Sequence, residues 1–295
     1  MTASQRTQGH STSTVLGRRL GSELVRLRTS AGLTQTDAGR ALTASTTKVA
    51  KMEGGWVPVR DPDIRALAEL YGATDPATVG GLLELARIDR ERRKAKGWWN
   101  EFPHMGDMQE YVALENAATK IRAWQICYIP GLLQVPDYMR ALARDGSPNE
   151  HADGGERLVA KRSARQRRLI EAPALHFHAV IHESALRHLV GGPQVMCEQL
   201  RHLGLQAQQP HITVQVLPFT TGSHVGMGGA FNLLSFTDSG AMDVVYTETA
   251  LGQLWIEGGD GAAAHNDLFA SITRRALDEN ASAELIDTAR KELER

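Results

Sequence analysis

Cysteine is nearly absent from this chain, and aromatic residues make up only 5% of it. The two cysteines, Cys127 and Cys197, stand far apart, which excludes a disulfide framework and a cysteine-rich metal knuckle. Each has an apolar or helical context, so buried free thiols in a reducing cytoplasm are expected. No apolar run reaches the roughly 18 residues that a membrane helix needs. The first residues are polar and lack the apolar core of a signal sequence. A cytoplasmic protein with no membrane attachment is the expectation. A phosphate loop ending in Gly-Lys-Ser or Gly-Lys-Thr is missing, as is a nucleophile with a matched base. Neither catalytic residues nor a cofactor are therefore expected.

Net charge is also low, at −1, so bulk charge points to no partner. Its distribution does. Residues 1 to 60 hold nine cations (Arg6, Arg18, Arg19, Arg26, Arg28, Arg40, Lys48, Lys51 and Arg60) against Glu23, Asp37 and Glu53. That surplus of six leaves a deficit of seven over the rest. A basic amino-terminal domain on an acidic body suits a DNA reader whose other domain is free for a different task. Residues 1–13, rich in Ser, Thr and Gln, read as a disordered lead-in.

Between Thr34 and Gly55 the sequence spells two short helices joined by a turn. Thr34 with Asp37 three residues on forms a reciprocal cap. Ala38 and Leu42 share one face, and Thr43-Ala44 makes the turn. Ser45 caps the second helix, in which Val49 and Met52 point inward and Gly54-Gly55 closes the end. Thr46, Thr47, Lys48, Ala50 and Lys51 are left facing outward. Hydroxyls and ammonium groups of that kind can bond base edges and approach phosphates. Before the pair runs a stripe of Leu16, Leu20, Leu24 and Leu27. After it, Asp61-Pro62 and Asp75-Pro76 each read as a cap followed by a first-turn proline. Five helices around one core are expected over residues 14–86, with a basic connecting helix over 87–97 and a solvated face as its simplest role.

Leu33-Thr34-Gln35, Ala38, Leu42, Ser45, Val49, Met52-Glu53 and Gly55 resemble the lambda-repressor and Cro-like helix-turn-helix family, the xenobiotic-response-element class of bacterial regulators. The resemblance covers residues 15 to 75. It implies that Gln35 meets the DNA backbone or braces the base-reading residues. It also implies that Thr46, Thr47 and Lys51 face the groove while Lys48 pairs with a phosphate. Two departures stand out. The second helix lacks the Arg, Gln or Asn that grips a base bidentately, and Gly39 inside the first helix costs about 1 kcal/mol relative to alanine. Modest specificity per half-site, recovered by dimerisation, is expected.

The remainder, 98–290, reads as an α+β domain with a mostly antiparallel or mixed sheet. Helical spacing joins Tyr111 to Ala123 through Leu114, Ala117, Ala118 and Ile121. An apolar turn spans Ile129 to Gln134, a helix follows Pro136, and residues 145–155 form a polar loop. A basic helix over 157–170 stacks Arg157, Lys161 and Arg165. Period-two patterning marks strands at 175–182, 211–218, 230–236, 243–247 and 253–256, with helices at 183–190, 193–207, 266–277 and after Asn280. His176, His178 and His182 share a strand face beside Glu183, but Leu186 stands where a zinc-protease helix needs its second histidine, so no metal is expected. Gly222, Gly226, Gly228 and Gly229 with His224 read as a turn between strands.

The Ile129-to-Gln134 turn with Tyr138, the Arg162-x-x-Arg165-Gln166 step and Val180-Ile181-His182-Glu183 carry a second resemblance. Gln199-Leu200, Val214 to Phe219 with Gly222-x-His224, and Val244-Val245-Tyr246-x-Glu248 extend it. These are similar to the carboxy-terminal domain of actinobacterial antitoxin-like helix-turn-helix regulators. That resemblance implies a transcriptional regulator working with a small partner protein, often encoded beside it. The expectation is therefore a homodimeric regulator binding double-stranded DNA through Gln35, Ser45, Thr46, Thr47, Lys48 and Lys51. Its input is a small partner protein, or a small-molecule effector near Trp98, Trp99, Trp124 and Trp255. Two rivals remain: an antitoxin-like protein that chiefly neutralises a partner, and an enzyme with a DNA-binding appendage that uses His182, Glu183 or His224.

Overall fold

A computed structural model of the chain describes residues 14–94, 108–145, 155–236, 243–249 and 252–294. Residues 1–13, Trp98, Trp99 and most of the loop expected at 145–155 lie outside them. The chain divides into two compact units, Met1–Lys96 and Gly97–Arg295. The first is helical, and the second is α+β around a mixed sheet.

Five helices make up the described first unit: α1 (Val15–Ser30), α2 (Gln35–Ala41), α3 (Thr46–Glu53), α4 (Asp61–Leu70) and α5 (Pro76–Lys94). They close on Leu20, Leu24, Val49, Met52, Ile64 and Leu67, all buried. The cap signals place the starts. Thr34 and Asp37 bond each other's backbone in a complete capping box, and the Ser45 hydroxyl accepts from the Lys48 amide. Asp75 accepts from the Thr78 amide. Asp61 departs from its expected role: Arg60 is the cap residue of α4, and Pro62 lies one position further in. The Asp61 carboxylate instead accepts from Arg90 at 2.7 Å.

Glycine governs how closely these helices approach. A Cβ on Gly21 of α1 would lie 2.0 Å from the Glu53 carbonyl oxygen, and one on Gly39 would lie 2.8 Å from that of Ala44. The helix-propensity cost at Gly39 is thus accepted in exchange for a tight α2–α3 turn, in which Thr43 takes φ 49°.

α5 runs unbroken through residue 87, and its basic residues are not one solvated face. Arg87 pairs with Glu84 and Glu91 at the surface. Arg90 donates to the Val59 carbonyl, and Arg93 to the Gly55 carbonyl and Asp89. Ile88 and Asp89 are buried. The last turns of α5 therefore hold the chain where it leaves α3.

In the second unit six strands pair in the order β3-β2-β1-β4-β5-β6: β1 (Lys120–Gln125), β2 (His176–His182), β3 (Ile212–Leu217), β4 (Phe231–Ser235), β5 (Val244–Thr249) and β6 (Gly252–Glu257). β1, β2 and β3 are parallel, whereas β4, β5 and β6 continue antiparallel from β1. β1 corrects the expected helix through Ala123. The helix α6 (Met108–Ala117) stops early, and the alternating Lys120-Ile121-Arg122-Ala123-Trp124-Gln125 becomes a central strand. Neighbouring strands on both sides outweigh a helical spacing that Ile121 met only by coincidence.

The remaining helices are α7 (Pro136–Asp145), α8 (Glu156–Gln166), α9 (Glu183–Arg187), α10 (Pro193–Gln206), α11 (Gly259–Arg275) and α12 (Glu279–Glu292). α11 starts seven residues before the expected Asn266, and α9 is shorter than expected. Through Ala262, Phe269 and Ile272, α11 packs against Trp124, Val180, Leu233 and Val245 on one face of the sheet. The edge strand β3 is not left open, because the Val216 amide donates to the Ser282 hydroxyl of α12.

Three smaller expectations change. Cys127 is exposed and Cys197 half-buried, so neither thiol is a core residue. Arg165 does not continue the basic stack expected with Arg157 and Lys161; it is buried in an ion pair with Glu115. Trp124 and Trp255 do not converge. The register puts Trp255 in one row with Tyr246, Asn232 and Ala123, whereas Trp124 belongs to the opposite face.

Two glycines make opposite tests of this packing. Gly21→Ala should lower the opening free energy of α1 and α3 amides in native-state hydrogen exchange by about 1–3 kcal/mol. Gly80→Ala, on an exposed stretch of α5 with nothing within 4 Å of the added carbon, should instead raise it by about 0.5–1 kcal/mol.

Candidate nucleic-acid interface

α3 has only eight residues, too few to hold a helix by itself in water. Its position comes from its neighbours. Val49 and Met52 are buried in the core on one side. At its far end Glu53 is gripped twice. Arg28 of α1 donates Nε and Nη2 to the two carboxylate oxygens at 2.6 and 3.0 Å, and Gln35 Nε2 donates to Oε2 at 2.8 Å. The Glu53 side chain is only 5% exposed. Removing one partner from such a buried pair typically costs about 3–5 kcal/mol. The hydrogen bonds from Arg28 to Glu53 raise the guanidinium's already high pKa, so Arg28 stays charged. Arg28 Nη1 also donates to the Leu33 carbonyl, tying the entrance of α2 to the exit of α3.

The outward side of α3 carries Thr46, Thr47, Lys48, Ala50 and Lys51, all exposed. Ser45 stands at its start with its oxygen accepting from the Lys48 amide at 3.2 Å; the hydroxyl proton is left to donate. Gln35 lies half-buried behind this face, its amide nitrogen committed to Glu53. It is placed as a brace. Lys48 Nζ lies 3.9 Å from Asp63, which Arg60 also bonds at 3.0 Å. Asp63 is buried and keeps Arg60, whereas Lys48 is exposed and stands at the limit of ion-pair distance, so Lys48 can exchange Asp63 for another anion at small cost. Around α2, Asp37 is held below its usual carboxylate range by the Thr34 hydroxyl, and Arg40 projects into solvent.

Trp56 was missed in the sequence. It is 48% exposed immediately beyond α3, and its amide donates to the Lys51 carbonyl at 2.8 Å. An indole at a helix exit after two glycines was the available signal. The histidines of the second unit make other bonds: His178 with Gln215 and His182 with Ser184. Among the described residues, no group of three or more His, Cys, Asp or Glu side chains could hold a metal. No described helix is long and apolar enough to cross a membrane.

Comparison with known families agrees with this division. Residues 19–79 match a helix-turn-helix domain, which marks the chain as a DNA-binding regulator. Residues 108–288, more than half of the chain, match a domain of unknown function, DUF5753. The chain belongs to the DUF5753 family. No curated protein and no solved structure matches it.

Tyr71 offers a test of the packing behind α3. Burial, reinforced by the Glu53 charge, pushes its hydroxyl up to about 12, and its oxygen is buried without a hydrogen-bond partner. The folded state therefore keeps this proton where the unfolded chain releases it. Its stabilising contribution is complete below pH ~10 and disappears as pH rises toward 12. Tyr71→Phe should leave stability at neutral pH unchanged or slightly higher and flatten the loss between pH ~10 and ~12, read by urea unfolding across that range.

Proposed function

We propose that this chain is a sequence-specific transcriptional regulator of the lambda-repressor and Cro-like class, acting as a cytoplasmic homodimer on double-stranded DNA. α3 of each protomer enters the major groove, and the two half-sites of an inverted repeat lie about 34 Å apart. Thr46, Thr47 and Lys51 reach base edges, Lys48 takes a phosphate, Ser45 donates its hydroxyl at the helix start, and Gln35 steadies Glu53 from behind. The second domain dimerises and receives the controlling input from a small partner protein, as in the antitoxin-like regulators it resembles. A partner that prefers one spacing of the two DNA-binding domains then shifts operator occupancy.

One observation carries this reading: the polar side of α3 is exposed along its length while the opposite side and the far end are anchored in the core. Anchoring without covering is what a groove-reading helix requires.

The test starts from fragments of genomic DNA selected by the purified protein. Thr46→Ala and Thr47→Ala should each lose on the order of 1 kcal/mol of discrimination at defined base pairs. Lys48→Ala should weaken all sequences alike and reduce the slope of log affinity against log salt by about one unit. Indifference of both threonine variants to operator sequence would show the assigned groove face to be wrong.

A further inference from the structure

The two edges of the six-stranded sheet are treated differently. β3 is closed by α12, whose Ser282 hydroxyl accepts from the Val216 amide. Among the described residues no strand lies beyond β6, and its register runs only with β5. One bond gives the direction of its backbone groups. The Gly258 amide donates to the Asp243 carbonyl at 3.0 Å, in the register that continues from Val244 with Glu257 to Thr249 with Gly252. Alternation then turns the backbone of Leu254 and Ile256 toward β5 and that of Gln253 and Trp255 outward. Among the described residues, no backbone hydrogen bond reaches these two outward residues.

Soluble proteins blunt a free edge with a proline, a lysine or a bulge, because an open row of N–H and C=O groups is a template for another strand. β6 has none of these. It reads Gly-Gln-Leu-Trp-Ile-Glu, and its register with β5 is unbroken. It carries an exposed leucine instead. Leu254 is 53% exposed, whereas Ile256, on the same face, packs against the α11 core. From Gly252 to Ile256 the strand holds no charge. A segment that pairs with its own copy meets identical charges, and like charges directly opposite each other destabilise a sheet. An uncharged segment pairs with itself freely.

We infer that β6 is the self-association edge of the second domain, pairing antiparallel with β6 of a second copy about a two-fold axis at Leu254. In that register Gln253 exchanges both backbone hydrogen bonds with Trp255 of the second copy, and Trp255 does the same with its Gln253. Every outward backbone group of the two residues is then satisfied. Leu254 stands opposite its own copy in a non-hydrogen-bonded pair, where side chains approach most closely, and its exposed surface is covered. A contact of this isologous kind closes at two subunits. The inference supplies an interface for the homodimer of the proposed function and rests on that dimer, not on the groove face of α3.

The test uses the full-length chain. Leu254→Cys is placed in a Cys127→Ser, Cys197→Ser background and oxidised with diamide. Thiols that face each other across the axis should form a covalent dimer at least about tenfold faster than those of Leu205→Cys in the same background; Leu205 is a comparably exposed leucine on α10. Gln253→Pro removes an outward N–H that β5 does not use, a place where an edge strand tolerates proline. It should convert the dimer of the parent chain into a monomer, read by sedimentation equilibrium over a concentration series. Circular dichroism checks that each variant is folded, and either variant suffices if the other is not. A monomeric parent, cross-linking at Leu254→Cys no faster than at Leu205→Cys, or a folded Gln253→Pro chain that dimerises like the parent would each overturn the interface. These measurements contain no DNA, so a chain that dimerises through β6 yet binds no duplex supports the interface and sinks the groove reading alone.

Discussion

The grip on Glu53 is the constraint on which the first domain depends. α3 is too short to be a helix alone, and what it offers to solvent is set by what holds it from behind. Arg28 fixes the carboxylate from α1, and Gln35 fixes it from α2. Gly21 lets α1 approach until backbone nearly touches backbone at the same residue. One carboxylate thus joins three helices. Arg93 adds a fourth element by holding the Gly55 carbonyl just beyond. The outward threonines and lysines are exposed in a defined direction because the other side of the helix has so little freedom.

Local chemistry made much of this legible in advance. Thr34 with Asp37, and Ser45, announce helix starts through bonds that span only three residues, so the sequence contains the whole interaction. Period two in β2 to β6 is local in the same way. What failed was long-range. β1 is a strand because β2 and β4 flank it, and neither lies near it in sequence; Ala118-Thr119, without glycine or proline, gave no stop signal for α6. The partner of Arg165 is Glu115, 50 residues away in another helix, so a basic stripe was read where a buried pair exists. α11 begins within Gly258-Gly259-Asp260-Gly261, a composition that reads as loop. Gln35 could be read as a brace or a DNA contact, and only the position of Glu53 favours the brace.

In the second domain the sheet separates what the sequence had seemed to bring together. The tryptophans alternate faces: Trp124 goes to the α11 core, with its indole N–H donating to the Gly226 carbonyl, and Trp255 to Tyr111 and Tyr246. An aromatic cage from these two residues is therefore excluded by strand periodicity. Polar groups gather elsewhere, in the buried Glu115–Arg165 pair between α6 and α8.

The central claim is that α3 is the element that reads DNA. A structure of the protein bound to a duplex selected from genomic fragments tests it most directly. The account predicts α3 lying in the major groove, Thr46 and Thr47 against base edges, and the Arg28–Glu53–Gln35 clamp unchanged. A complex in which α3 faces a second protomer or open solvent, while another element carries the duplex, would contradict it.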